Sequence, residues 1–126
     1  MKRDIETRAD LELLLTEFYK IAPNDAEIGH HFDGVNLAAH LPVIVDFWEK
    51  VLFGKAVYSG NPLAVHQILH AKSSLTPEHF RRWVEIFQEI VDALFAGKIA
   101  DDAKLRAKMI AHSLNQNLSR PTPVAV

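Results

Sequence analysis

Between Thr76-Pro77 and Gly97 the chain sets Phe80, Trp83, Phe87, Ile90 and Leu94 at intervals of three and four residues. That period belongs to a helix with one buried face, opened by a capping threonine and a proline at the first helical position and closed by glycine. The pattern recurs upstream. Leu11, Leu14, Leu15 and Phe18 predict a helix over about 7–21, stopped by Pro23, Asn24 and Asp25, with a short helical turn over 26–32 to follow. His40, Ile44, Phe47 and Val51 share one face of the next helix. Pro42 requires that helix to begin close by, with a first turn near 38–41, and Gly54 ends it. Asn61-Pro62 opens a short helix reaching about 71. A last helix is expected from near Asp101 to Leu118, its acids in the first turn as the helix dipole favours. No alternating β-branched run competes with these helices, so the expected class is all-α. The expected organisation is one domain over 1–126, with a helical core at 7–118 and a loose tail at 119–126.

Composition narrows the function. With 48% hydrophobic and 24% charged residues the chain has the makings of an ordinary core. A net charge of −2 gives no electrostatic case for nucleic acid or acidic lipid as a partner. The absence of cysteine removes disulfides, thiolate metal sites and thiol nucleophiles. The acid-bearing start and the lack of a long apolar run predict neither a secretory signal nor a membrane helix, hence a cytoplasmic protein. Paired catalytic carboxylates, a glycine-rich phosphate loop and a Ser-His-Asp arrangement are missing as motifs.

What remains is polar chemistry on apolar stripes, where an unpartnered group is costly. Tyr19, His40, His66 and Trp83 occupy such positions. His66 falls between Leu63 and Leu69 on an arc shared with Val65 and Ile68. Neutral imidazole is the commonest protein metal ligand. His66 and His70 also form an i, i+4 pair, although without the glutamate of H-E-x-x-H. Each of these residues taken singly also reads as a satisfied core side chain. Together, two interior histidines on separate helices, a tyrosine, a tryptophan and Phe32 suit a slot for a flat cofactor.

The combination of Phe18-Tyr19, HHFDG with Phe32, HLPVIVDFWEKVLFG at 40–54, YSGNPLAVH at 58–66 and LTPEHFRRWVEIF at 75–87 resembles the truncated haemoglobins, and among them the third group. The likeness covers about 7–118, and the paired-glycine motifs of the other two groups are missing. It implies a 2-on-2 helical globin holding haem b and reversibly binding oxygen, nitric oxide or another diatomic gas. His66 would be the proximal iron ligand, as the NPLAVH match favours over His70. Phe32 would pack on the haem face, and the Phe47-Trp48 pair would support the slot. Tyr19, His40 and Trp83 would line the distal side, where phenol and indole donors can stabilise a polar ligand in an apolar pocket. His40 would donate, act as a gate or bind iron itself. Lys55, Lys72 and Arg82 are candidates for the propionates. Nitric oxide dioxygenation or peroxidase action would need electrons from a separate reductase, so enzymatic turnover stays open, as does the oligomeric state. Two rivals stand beside this reading. One is a cofactor-free helical interaction or regulatory module, and the other a non-haem metal site on His66 and His70. His30, His31, His79 and His112 read as surface or partly buried residues.

Overall fold

The computed structural model describes residues 2–34, 36–55 and 75–119, and every regular element among them is helical. Helix α1 runs Arg8–Ile21, α2 Leu37–Phe53, α3 Pro77–Leu94 and α4 Lys98–Ser119, with 3-10 turns at Ala22–Asn24 and Gly29–Phe32 between α1 and α2. The predicted short helix at 61–71 and the tail beyond 119 lie outside the described residues. No described helix is long and apolar enough to cross a membrane.

Each helix begins where a side chain satisfies the free amides of its first turn. In α1, Thr7 accepts from the Asp10 amide while Asp10 accepts from the Thr7 amide at 3.1 Å. Asp10 is buried, and the Arg3 guanidinium balances its charge at 2.8 Å. That arginine, with the amides of Glu6 and Thr7, holds the Asp10 carboxyl at about 2 against the opposing effect of burial. Asn36 caps α2 through the Ala39 amide at 3.1 Å. Helix α2 ends as expected at Gly54, whose φ of +70° is a left-handed conformation suited to glycine. Pro42 is further inside the helix than anticipated, at its sixth residue. Both Pro42 and Ala38 are exposed, so water can take the carbonyl bond that the proline nitrogen cannot make.

Helix α4 starts three residues before the expected Asp101 because its cap comes from the other end of the chain. The Asp4 carboxylate accepts from the amides of Ile99 at 2.9 Å and Ala100 at 2.8 Å. Burial would raise the Asp4 pKa, but these two donors and the Ile5 amide outweigh it and hold it below its ordinary value. The Ala96 amide donates to the Arg3 carbonyl at 3.0 Å, so the N-terminal segment straps the corner between α3 and α4.

The helices pair as α1 on α2 and α3 on α4, with α1 also crossing α3. Leu11, Leu14, Leu15 and Phe18 of α1 meet Val45 and Trp48 of α2 and Ile86, Phe87, Ile90 and Val91 of α3 in one buried cluster. Helix α4 contributes Ala100, Ala103 and Ala107 to that cluster. Side chains this small let the α3 and α4 backbones approach closely. Arg8 reaches across from α1 to Asp46 at 2.7 Å and to the buried Glu49 of α2.

Candidate functional site

Toward the end formed by the two 3-10 turns the helices part around a cavity of about 370 Å³. Core interiors are close-packed and rarely leave such a space, and the volume falls in the range of small-molecule sites. Its walls are overwhelmingly apolar. Helix α1 supplies Leu15, Phe18 and Tyr19, α2 supplies His40, Ile44, Phe47 and Trp48, and α3 supplies Phe80, Trp83 and Phe87. Ile28, His31 and Phe32 come from the turn region, and Ile110, Ala111 and Leu114 from α4.

The aromatic side chains hold one another in place. Phe87 stacks between Trp48, at 4.9 Å between ring centroids, and Trp83, at 5.7 Å, with interplanar angles of 17° and 18°. Phe18 meets Tyr19, Trp83 and Phe87 edge-on. Tyr19 in turn meets Phe32 at 5.9 Å and His40 at 6.3 Å, also edge-on. These are the preferred offset and T-shaped geometries of aromatic pairs. Burial alone pushes the Tyr19 phenol well above its usual pKa, so its hydroxyl keeps its proton and remains a donor. Burial likewise lowers the His40 pKa, favouring the neutral ring.

The turn that carries His31 and Phe32 is fixed from two sides. A Cβ on Gly29 would stand 2.5 Å from the Pro23 carbonyl oxygen, so only glycine allows the two 3-10 turns to sit this close. Asp25 accepts from the amides of Glu27 and Ile28 and from Arg82 of α3 at 2.9 Å. This clamp brings His31 against His79 of α3, with Nε2 and Nδ1 3.1 Å apart. His79 Nδ1 also accepts the Thr76 amide at 3.3 Å, while the Thr76 hydroxyl accepts the His79 amide at 3.2 Å. As an acceptor, Nδ1 carries no proton, so His31 Nε2 is the donor between the two rings. Burial, and then the neighbouring His30 and His79, hold the His31 pKa down at about 4.

Six of the residues singled out from the sequence, namely Tyr19, Phe32, His40, Phe47, Trp48 and Trp83, line this one cavity. His66 lies outside the described residues, as do Pro62, His70 and Lys72. Lys55 stands 3.7 Å from Glu49, and Arg82 is held by Asp25 and Glu85. Sequence reasoning did not place His31 and His79 at the cavity. The signals were the His30-His31 pair directly before Phe32, and a histidine where a helix start usually carries an acid. An apolar cavity walled by aromatic rings, with a phenol and an imidazole side by side, suits a flat hydrophobic group presenting a small polar ligand.

A family model described as bacterial-like globin matches residues 4–116. The chain is 26% identical over 117 residues to a curated protein of Campylobacter jejuni named group 3 truncated hemoglobin ctb, covering 88% of this chain and 90% of that protein. The fold is similar to the crystal structure of a group III truncated hemoglobin from Campylobacter jejuni, with a TM-score of 0.84 and 24% identity. The match covers 97% of this chain and 98% of that one. The helical architecture described above is therefore that of a truncated globin.

Proposed function

Because the chain belongs to the bacterial-like globin family, we propose that it is a group III truncated haemoglobin that holds haem b in the cavity and reversibly binds a diatomic gas there. The observation that carries this reading is the cavity itself: an apolar, aromatic-walled space in which Tyr19 and His40 stand together and Trp83 forms part of the wall. The residues present fit the group. A porphyrin is flat and mostly hydrophobic, and the stacked Trp48, Phe87 and Trp83 rings offer a rigid apolar surface of matching character. Phe32 and the Phe47-Trp48 pair would hold it, and neutral His66 would be the residue that binds its iron. When bound, haem would supply an iron able to bind oxygen or nitric oxide.

The protein's own part is to orient, exclude water and donate. Tyr19 retains its proton because the phenolate is too poorly solvated in this environment, and it can donate a hydrogen bond to a polar ligand. Its edge-on packing against Phe18 and Phe32 restrains the ring. Trp83 can only donate. His40, held neutral by burial, can donate or accept and sits beside Tyr19. Removal of competing water by the surrounding apolar side chains strengthens each of these bonds. Turnover on nitric oxide or peroxide would draw its electrons from a separate reductase.

An absorption spectrum of the purified protein is the first test, and an intense band near the violet end is expected. His66→Ala should sharply weaken haem retention while His70→Ala leaves it intact. A colourless protein that takes up no added haemin would overturn the cofactor assignment. Unchanged retention in His66→Ala would overturn the axial ligand.

A further inference from the structure

We propose that His30, His31 and His79 form a binding site for one first-row divalent transition-metal ion in the wall of the cavity, separate from the axial position assigned to His66. The three side chains each offer a ring nitrogen, and these atoms all lie within 4.8 Å of one another. A tetrahedral ion with metal–nitrogen bonds of about 2.0–2.1 Å separates its ligand nitrogens by roughly 3.3 Å. His31 Nε2 and His79 Nδ1, at 3.1 Å, already stand near that separation. His30 is exposed, so its ring can close the remaining distance without disturbing the core.

The frame beneath the cluster is rigid, which keeps the entropic cost of assembling the ligands low. Gly29 seats the turn against Pro23, Arg82 ties Asp25 to α3, and Thr76 caps the first turn of the helix that carries His79. His30 and His31 are consecutive, with ring centroids 4.1 Å apart, and His79 faces both at 5.3 and 4.8 Å. Three imidazoles without a carboxylate favour zinc, copper or nickel over magnesium or calcium, which prefer oxygen ligands. The charge balance is simple. Neutral imidazole ligates through whichever nitrogen is unprotonated, so His31 moves its proton from Nε2 to Nδ1 and releases none. An ion between the two rings takes the Nδ1 lone pair that now accepts the Thr76 amide, and the Thr76 hydroxyl keeps its bond to the His79 amide. The bound ion ties the turn bearing Phe32 to the start of α3, so it braces one wall of the cavity. All three ligands come from the protein, so the site needs no group in the cavity to supply a ligand.

The test is calorimetric titration of zinc chloride into the untagged full-length protein, with cofactor content read from the absorption spectrum of the same sample. One zinc per chain is expected. His30→Ala, at an exposed position, should weaken binding at least tenfold with unchanged circular dichroism and thermal midpoint. His31→Ala and His79→Ala should abolish measurable binding, and copper(II) bound to the wild type should show nitrogen couplings in its electron paramagnetic resonance spectrum. No zinc uptake by the wild type would overturn the proposal. So would uptake that His30→Ala leaves unchanged, or uptake lost only in a His66→Ala, His70→Ala double variant. A protein that takes up no added haemin but still binds zinc at the three histidines would refute the haem reading and leave this one standing.

Discussion

Emptying the cavity should cost the protein much of its stability. Residual cavities in mutated cores cost roughly 24 cal/mol per Å³, so a dry space of about 370 Å³ would cost about 9 kcal/mol. Water entering beside Tyr19 and His40 reduces that figure but gains nothing from the apolar walls, and if it recovers half, a loss of about 4 kcal/mol remains. Domains of this size have only about 5–15 kcal/mol in total. At roughly 4 °C per kcal/mol the thermal midpoint should fall by about 15 °C or more. The assay is to strip the haem with acid and organic solvent, refold the chain, and follow urea and thermal unfolding by circular dichroism with and without one equivalent of haemin. The stripped chain should unfold at lower urea and bind a hydrophobic dye, and haemin should restore the midpoint. A stripped chain with the same midpoint and slope as the loaded one would refute the premise that the cavity's occupant completes the core.

Three further outcomes follow from particular contacts. Tyr19→Phe removes a donor worth about 1.5–3 kcal/mol to a polar ligand, so stopped-flow oxygen dissociation should quicken roughly ten- to 150-fold; an unchanged rate would move that role to Trp83 or His40. Gly29→Ala forces a Cβ to within 2.5 Å of the Pro23 carbonyl oxygen, so the urea midpoint should drop by the equivalent of about 1–3 kcal/mol; a neutral result would mean the two turns can separate freely. The Asp10 carboxyl is depressed from 3.8 to about 2 in the folded protein. Its contribution is therefore complete above the unfolded value and is lost as the pH falls through the folded one. Acid titration of stability should fall more steeply between about pH 4 and 2 in the wild type than in Asp10→Asn, and parallel curves would contradict the assignment.

The helices were readable where local chemistry decides them. Thr76-Pro77, Gly54 and the three-four spacing of Phe80, Trp83, Phe87 and Ile90 act within a few residues of themselves, and the chain obeys them. The start of α4 was not readable, because the group that caps Ile99 and Ala100 is Asp4, some 95 residues away in the chain. Pro42 sits one residue deeper in its helix than its sequence context predicts, since hydration of an exposed carbonyl is a property of the assembled surface. At the site, Tyr19, His40 and Trp83 stood out because polar atoms on apolar stripes need a reason. His31 and His79 carried no such mark. Each looks like a partly buried histidine until the Gly29 contact and the Asp25–Arg82 pair bring their two elements together. Trp48 and Trp83 read as slot residues and Phe87 as core, but their stacking emerges only once α2 and α3 are assembled.

The strap formed by Arg3 and Asp4 also sets an order of events during synthesis. Arg3 and Asp4 precede α1 in the chain and so emerge before it, yet their partners at Ala96, Ile99 and Ala100 emerge only after α3. Until then α1 can meet α2 and the Arg3 guanidinium can pair with Asp10, but the Arg3 carbonyl and the Asp4 carboxylate wait for those amides, and that long loop closes only once the start of α4 has been made. Asp4→Ala would therefore weaken that last closure while leaving the α1–α2 pair its own contacts.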